Sequence, residues 1–126
     1  MQVIVTTKAD ACAISEANPS AVVVALLRRS LLRDGESVCL HENYFRYITA
    51  ILARRSIPIT CTELIEHLWG DDADGGPDNA ESRIQSTYPT LVRRQIARLG
   101  LGIESGYGLG YRIVDLRAES NQQRAA

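Results

Sequence analysis

The chain opens on Val3-Ile4-Val5-Thr6-Thr7, a run of β-branched residues that predicts a strand. Residues 8–20 show no apolar period and end in Asn18-Pro19-Ser20, so a loop is expected there. Ala21–Leu32 is ambiguous: three consecutive valines favour a strand, while Leu26-Leu27 and Leu31-Leu32 are spaced as on a helix. Asp34-Gly35 weighs toward strands, because this dipeptide accepts the left-handed backbone of a two-residue hairpin turn. The expectation for residues 1–40 is a small antiparallel sheet.

From residue 43 the period changes. Tyr44, Phe45, Ile48, Ile51 and Leu52 form one stripe with Arg46, Arg54 and Arg55 off it, which predicts an amphipathic helix over 43–55. It stops before Ile57-Pro58, since proline biases its predecessor away from helical backbone. Thr60-Cys61-Thr62-Glu63 reads as a capping box for a second helix carrying Leu64, Ile65, Leu68 and Trp69 on one face. Gly70 is expected to end it in the left-handed region. After an acidic stretch at 71–78, a third helical pattern runs through Ile84, Tyr88, Leu91, Val92, Ile96 and Leu99, closed by Gly100 and Gly102. Pro89 must kink this helix or start its main segment.

Ile103–Val114 is apolar at both ends and glycine-rich in the middle, the pattern of a β-hairpin. Small sheet, three helices and hairpin together make an α+β winged helix-turn-helix. The expected division is an N-terminal extension with strands at 1–27, the winged-helix domain at 28–116, and a flexible tail at 117–126.

Composition adds three constraints. With 126 residues, 45% of them hydrophobic and 23% charged, the chain suits one globular domain. Cys12, Cys39 and Cys61 are odd in number and widely spaced, so neither a disulfide framework nor a zinc site is expected. Fourteen basic residues against fifteen acidic ones mean that any affinity for nucleic acid must be local. No basic segment leads into an apolar stretch near residue 1, and no run reaches bilayer length, so a cytoplasmic, nucleoid-associated protein without membrane contact is expected.

Three stretches resemble the C-terminal effector domain of OmpR/PhoB-type response regulators. Glu63-Leu64-Ile65-Glu66-His67-Leu68-Trp69-Gly70 resembles that family's second helix, which ends in Leu-Trp-Gly. Leu91-Val92-Arg93-Arg94-Gln95-Ile96 resembles its recognition helix, and Ile103-Glu104-Ser105 through Gly108-Leu109-Gly110-Tyr111-Arg112-Ile113 resembles its wing. The likeness spans roughly residues 28–114, without the phosphoacceptor receiver domain. Tyr88-Pro89 stands where the family has His-Ile, Leu91 and Tyr107 where it has arginines, and Gln95 where it has a lysine. The resemblance implies a bacterial or phage transcription regulator with the third helix in the major groove and the hairpin over the adjacent minor groove or backbone. It also implies that the loop at 71–78 docks on RNA polymerase; a plain solvated connector is the alternative.

Charge along the chain agrees with this picture. Residues 83–112 hold five arginines against Glu104 alone, whereas residues 63–81 hold seven carboxylates and no lysine or arginine. At about 100° per residue, the apolar positions from Ile84 to Leu99 occupy one side of the third helix. Arg83, Thr87, Thr90, Arg94 and Arg98 fall on another, where guanidinium forks suit phosphates and guanine edges, and threonine suits phosphate or a thymine methyl. Arg93 lies to the side, within reach of the backbone. In the wing, Arg112 and Tyr107 are candidates, and Thr60 adds a helix N-terminus able to meet a phosphate. Neutralising about five phosphates would give a salt slope of roughly −4 to −5. The competing assignment is a solvated arginine face.

Nothing suggests catalysis, a cofactor or a metal. The two histidines lie in no hydrolase or nucleotide-binding motif. A calcium loop counted from Asp72 would require a carboxylate where Arg83 stands. The expected function is sequence-specific DNA binding by a transcription regulator with double-stranded DNA as partner. The alternative is a winged-helix protein-interaction module that modulates RNA polymerase or another regulator. Apolar strand material at Val3–Thr6 and Ala21–Leu27 raises the further hypothesis of a homodimer.

Overall fold

In the computed structural model, which describes residues 2–7, 9–54, 57–71, 76–106 and 110–117, the valine run of the N-terminal region lies in a strand buried on both faces. This strand, β2 (Val22–Ala25), sits inside a four-stranded sheet with β1 (Val3–Thr6), β3 (Ser30–Arg33) and β4 (Glu36–Cys39), ordered β1-β2-β3-β4. Double burial explains why β2 is apolar throughout and not alternating. Asp34 (φ 50°) and Gly35 (φ 82°) form the expected two-residue turn, with Arg33 paired to Glu36 across it.

Two expectations for this region need correction. The sheet is mixed: β2-β3-β4 is antiparallel, but β1 runs parallel to β2 with Val3 opposite Val22. And the expected loop at 8–20 contains a helix, α1 (Ala11–Ala17), so four helical regions precede the hairpin instead of three. The two corrections have one cause, because a parallel pair requires a crossover and α1 is that crossover. Ala11 and Ile14 pack with Val23, Ala25, Leu32 and Ile4 as a second, small core on the outer face of the sheet. In a seven-residue helix with two apolar contacts the period is too short to stand out.

The opposite face of the sheet joins the main core. Val22, Val24, Leu31, Val38 and Leu40 meet Phe45, Tyr47, Ile48, Ile51 and Leu52 from α2 (Glu42–Arg54) and Leu64, Leu68 and Trp69 from α3 (Cys61–Trp69). The third helical region spans Ala80–Leu99 and buries Ile84, Tyr88, Val92, Ile96 and Leu99. It leads through Gly100, in left-handed conformation, into the hairpin of β5 (Leu101–Gly106) and β6 (Gly110–Asp115), with Ile103 opposite Ile113. Gly70, expected to be left-handed, is instead right-handed at φ −62°. The architecture is an α+β winged helix.

Two contacts fasten the hairpin. Ile59, between α2 and α3, pairs with Tyr111 through backbone bonds of 2.9 and 2.8 Å. Gly110 (φ 104°) permits this, since a Cβ there would strike the Ile59 carbonyl and lie 3.0 Å from the Thr60 nitrogen. The second contact is Arg33, only 4% exposed. Its guanidinium grips both carboxylate oxygens of Asp115 at 2.9 and 2.7 Å and donates to the carbonyls of Leu99 and Ser20 at 3.1 Å each. One side chain thus joins the sheet, the end of the third helical region and the last strand.

The expected boundary at 27/28 falls between β2 and β3, neighbours in one sheet. The expected tail begins at Arg117, which donates to the Arg98 carbonyl at 3.2 Å and pairs with Asp34 at 3.4 Å; residues 118–126 lie outside the described residues. No helix among the described residues is long and apolar enough to cross a membrane.

Replacing Arg33 by alanine removes the bidentate partner of the Asp115 carboxylate and a donor to two carbonyls, with an expected cost of about 3–5 kcal/mol in urea unfolding. The apolar pair Arg33→Met with Asp115→Leu is expected to cost less than Arg33→Ala alone, because it leaves no uncompensated charge. Equal or greater loss in the double variant would refute that assignment.

Candidate nucleic-acid interface

The third helical region is four pieces in series: α4 (Ala80–Ser82), a π-turn (Arg83–Thr87), α5 (Tyr88–Ile96) and a closing 3-10 turn (Ala97–Leu99). Pro89 explains the π-turn. In a regular helix its ring would clash with the Gln85 carbonyl, and it has no N–H to offer that carbonyl. The wider turn, with the Tyr88 N–H donating to the Arg83 carbonyl, opens the ladder at that point. Proline therefore sits in the first turn of α5, where it is tolerated.

Tyr88 locks the arrangement. Its buried ring meets Tyr44 edge-on at 4.9 Å, Tyr47 edge-on at 5.6 Å and Trp69 at 6.1 Å. Tyr88 and Pro89 thus face inward, and their departure from the family pattern serves packing.

The π-turn shifts the phase between Arg83 and α5. Arg83 is half-buried and lines a groove of about 410 Å³ with His41, Asn43, Tyr44, Asn79, Thr87 and Tyr88, at the N-terminal end of α2. Arg94 and Arg98 lie one turn apart on the open side of the helix, both exposed. Among the described residues, Arg83, Arg94 and Arg98 have no carboxylate within ion-pair distance. Thr87 and Thr90 are exposed as well. The Thr90 hydroxyl donates to the Ser86 carbonyl at 2.7 Å, so its proton is committed and its oxygen remains only an acceptor.

The other candidates are engaged elsewhere. Arg93 donates through Nε and a terminal nitrogen to the Ile103 carbonyl at 3.2 and 3.0 Å, bracing α5 against β5. Arg112 pairs across the hairpin with Glu104 at 2.9 Å, both side chains remaining partly exposed. The Thr60 hydroxyl accepts from the Glu63 N–H at 3.2 Å and donates to the Glu63 carboxylate at 3.1 Å, completing the capping box. A carboxylate beside that helix N-terminus disfavours a phosphate there. The Thr60 N–H holds the Glu63 carboxyl below the usual range, helped by the Arg54 guanidinium that pairs with it. Tyr107 lies outside the described residues, as do 72–75 of the acidic loop.

One residue of the face escaped the sequence reading. Leu91, expected on the apolar side, is 37% exposed, three and seven residues before Arg94 and Arg98 on the same side of α5. Its signal was an angle at the edge of the apolar arc, which hydrophobicity alone assigns to the core. The face therefore carries an apolar contact among cations, a combination suited to thymine methyls beside phosphates. No cluster of histidine, cysteine and carboxylate able to hold a metal occurs among the described residues.

Solved structures share this fold. The DNA-binding domain of CssR from Bacillus subtilis matches with a TM-score of 0.56 and 21% identity, over 74% of this chain and 99% of that one. A member of a family of redox sensors in the streptococci, evolved from two-component response regulators, matches at 0.58 and 16% identity, over 75% of this chain and 39% of that one. No protein-family model and no curated protein matches the chain. At these identities the likeness establishes the fold alone, a winged helix like that of the CssR DNA-binding domain.

Two predictions follow from the bonding pattern. Arg93→Ala is expected to lower stability by about 1–2 kcal/mol through the lost brace to β5, measured by urea unfolding. An unchanged midpoint would remove the bracing role. Glu63 has a lowered folded pKa, so its contribution is complete above the ordinary glutamate range and is lost as pH falls through the folded value. Glu63→Gln should therefore flatten the decline of the urea midpoint between about pH 5 and 3.

Proposed function

We propose that this chain is a sequence-specific DNA-binding transcription regulator that lays α5 in the major groove and rests its hairpin against the neighbouring backbone. The observation supporting this reading is the open cationic side of the third helical region. Thr90, Leu91 and Arg94 follow one another along α5 with Arg98 on its closing turn, and Arg83 and Thr87 continue the surface toward the N-terminal end of α2. Buried packing through Tyr88, Val92 and Ile96 holds the opposite side, so the cations are fixed on a rigid rod.

The roles differ by position. Arg94, on the exposed side near the middle of the rod, is suited to a guanine edge or a phosphate; Leu91 and the Thr90 methyl are suited to thymine. Arg83 and Arg98, near the ends, are suited to phosphates of the groove walls. Arg93 supports the hairpin in this scheme, and Arg112 contributes only as far as Glu104 releases it. Regulation of transcription, RNA polymerase as a partner of the 71–78 loop, and a cytoplasmic, nucleoid-associated location belong to the same proposal.

The second reading, a winged-helix module that binds protein without strong DNA affinity, draws on the exposed Leu91 in that face and on an overall charge of −1. Salt dependence separates the two. With three free arginines engaged, log K should fall against log salt with a slope of roughly −2.7. Fluorescence anisotropy on duplex DNA between about 50 and 200 mM salt reads it. Arg94→Ala is expected to weaken binding about tenfold and to reduce the slope by about one. Binding without a salt slope, or an Arg94→Ala variant equal to wild type, would favour the protein module.

A further inference from the structure

β1 is the outermost strand of the N-terminal sheet, with no neighbour beyond it among the described residues. Its inner side is committed: the Val22 N–H donates to the Gln2 carbonyl at 2.9 Å and the Leu26 N–H to the Thr6 carbonyl at 3.0 Å. In an extended strand the backbone groups of successive residues point to opposite sides. The groups of Gln2, Ile4 and Thr6 therefore face β2, while the N–H and C=O of both Val3 and Val5 face outward.

Natural edge strands are usually guarded by a lysine, a glutamate, a proline or a bulge. Residues 2–7 contain none of the first three, whereas β4, at the other edge, carries Glu36. The outer strand also exposes apolar side chain. Val5 is 60% exposed, while its same-face neighbour Val3 packs on the main core. Leu26 and Leu27, 42% and 77% exposed, follow β2 beside the end of β1.

We propose that the occupant of this edge is β1 of a second copy of the chain, paired antiparallel about a two-fold axis through Ile4. The outward groups require odd positions to pair with odd ones, and keeping both valines paired within β1 selects the register among these. Centring on Ile4 places Val3 opposite the partner's Val5 and Val5 opposite the partner's Val3. Both are then hydrogen-bonded pairs, and each exchanges two backbone bonds. The two Ile4 residues face each other as the close, non-hydrogen-bonded pair. A centre on Val3 or Val5 would also match outward groups, but it would pair one of the two valines with position 1 or 7, beyond β1, whereas the Ile4 centre keeps both valine pairs inside the strand. The same register covers each exposed Val5 with a valine and joins two sheets into one of eight strands. No charged side chain occurs in residues 2–7, and the two-fold closes the contact, so a dimer forms and no fibre.

The contact is small compared with the usual 1,200–2,000 Å² of stable interfaces, so association in the micromolar range is expected. Resting on the DNA reading above, a two-fold pair would present its two α5 rods to inverted rather than direct repeats. The association test contains no DNA and stands or falls separately.

Sedimentation equilibrium of the full chain up to about 200 µM is expected to show the mass rising from 13.9 kDa toward twice that value. Val5→Lys places a charge on the exposed edge without entering the core, and should remain monomeric with unchanged thermal unfolding. In a Cys12→Ser, Cys39→Ser background, Ile4→Cys brings two thiols within about 4.5 Å between Cα atoms, inside the disulfide range. Mild oxidation should then cross-link it at least fivefold more than Val3→Cys. A monomer at every concentration, a Val5→Lys chain that associates like wild type, or cross-linking no better at position 4 than at position 3 would each overturn the proposal.

Discussion

A guanidinium excluded from water at the junction of sheet, helix and hairpin sets the geometry on which the candidate nucleic-acid face depends. Arg33 costs several kcal/mol to desolvate, and that cost is offset only where partners surround it on all sides. Asp115 supplies the charge in bidentate form, and the carbonyls of Leu99 and Ser20 take further donors. Leu99 ends the third helical region and Asp115 ends β6. The bonds therefore fix where the rod stops and where the hairpin returns. An apolar residue at this position would fill the space without dictating direction. The planar fork does dictate it, because four bonds in one plane admit one relative placement of their acceptors.

The same logic separates the arginines of the C-terminal half into two groups. Arg93 ends on a backbone carbonyl, Arg112 on a carboxylate across the hairpin, and Arg117 on the Arg98 carbonyl and the Asp34 carboxylate. Each completes the bonding of a strand or helix end. Arg94 and Arg98 lie on the open side of α5 and its closing turn, and Arg83, in the π-turn, faces the N-terminal end of α2; among the described residues none of the three has a carboxylate within ion-pair distance. Residue type does not distinguish the groups. What distinguishes them is whether a carbonyl or carboxylate of another element lies within reach of the fork.

That is also why the sequence disclosed one part of the molecule and concealed another. Periodicity located α2, α3 and the third helical region, since an apolar stripe must face a core whatever the core contains. The Asp34-Gly35 turn and the Thr60–Glu63 capping box were legible for a similar reason, each being a local bonding problem solved within four residues. The parallel pairing of β1 was not, because it depends on α1, whose two apolar contacts are too few to announce a helix. Arg33 was invisible: a charged residue at a strand end beside a turn reads as solvent-facing, and its partners are up to 82 residues away. The Arg93 brace and the exposure of Leu91 were not legible, because a uniform helical wheel knows neither the hairpin carbonyl beside α5 nor the exact width of the core facing it.

Pro89 shows how local strain and interface geometry combine. A proline inside a regular helix would cost about 3 kcal/mol. The π-turn before it removes the clash, and the turn itself is tied down by Tyr88 among three aromatic rings. With Tyr88 fixed, the helix beyond it cannot rotate about its axis without dragging an aromatic ring out of the core. Leu91, Arg94 and Arg98 are consequently held on one side by a buried constraint at the start of α5, while Arg33 holds its far end through the Leu99 carbonyl. A rod pinned at both ends presents its cations with little freedom to reorient, so the proposed binding of a rigid duplex would cost less ordering entropy.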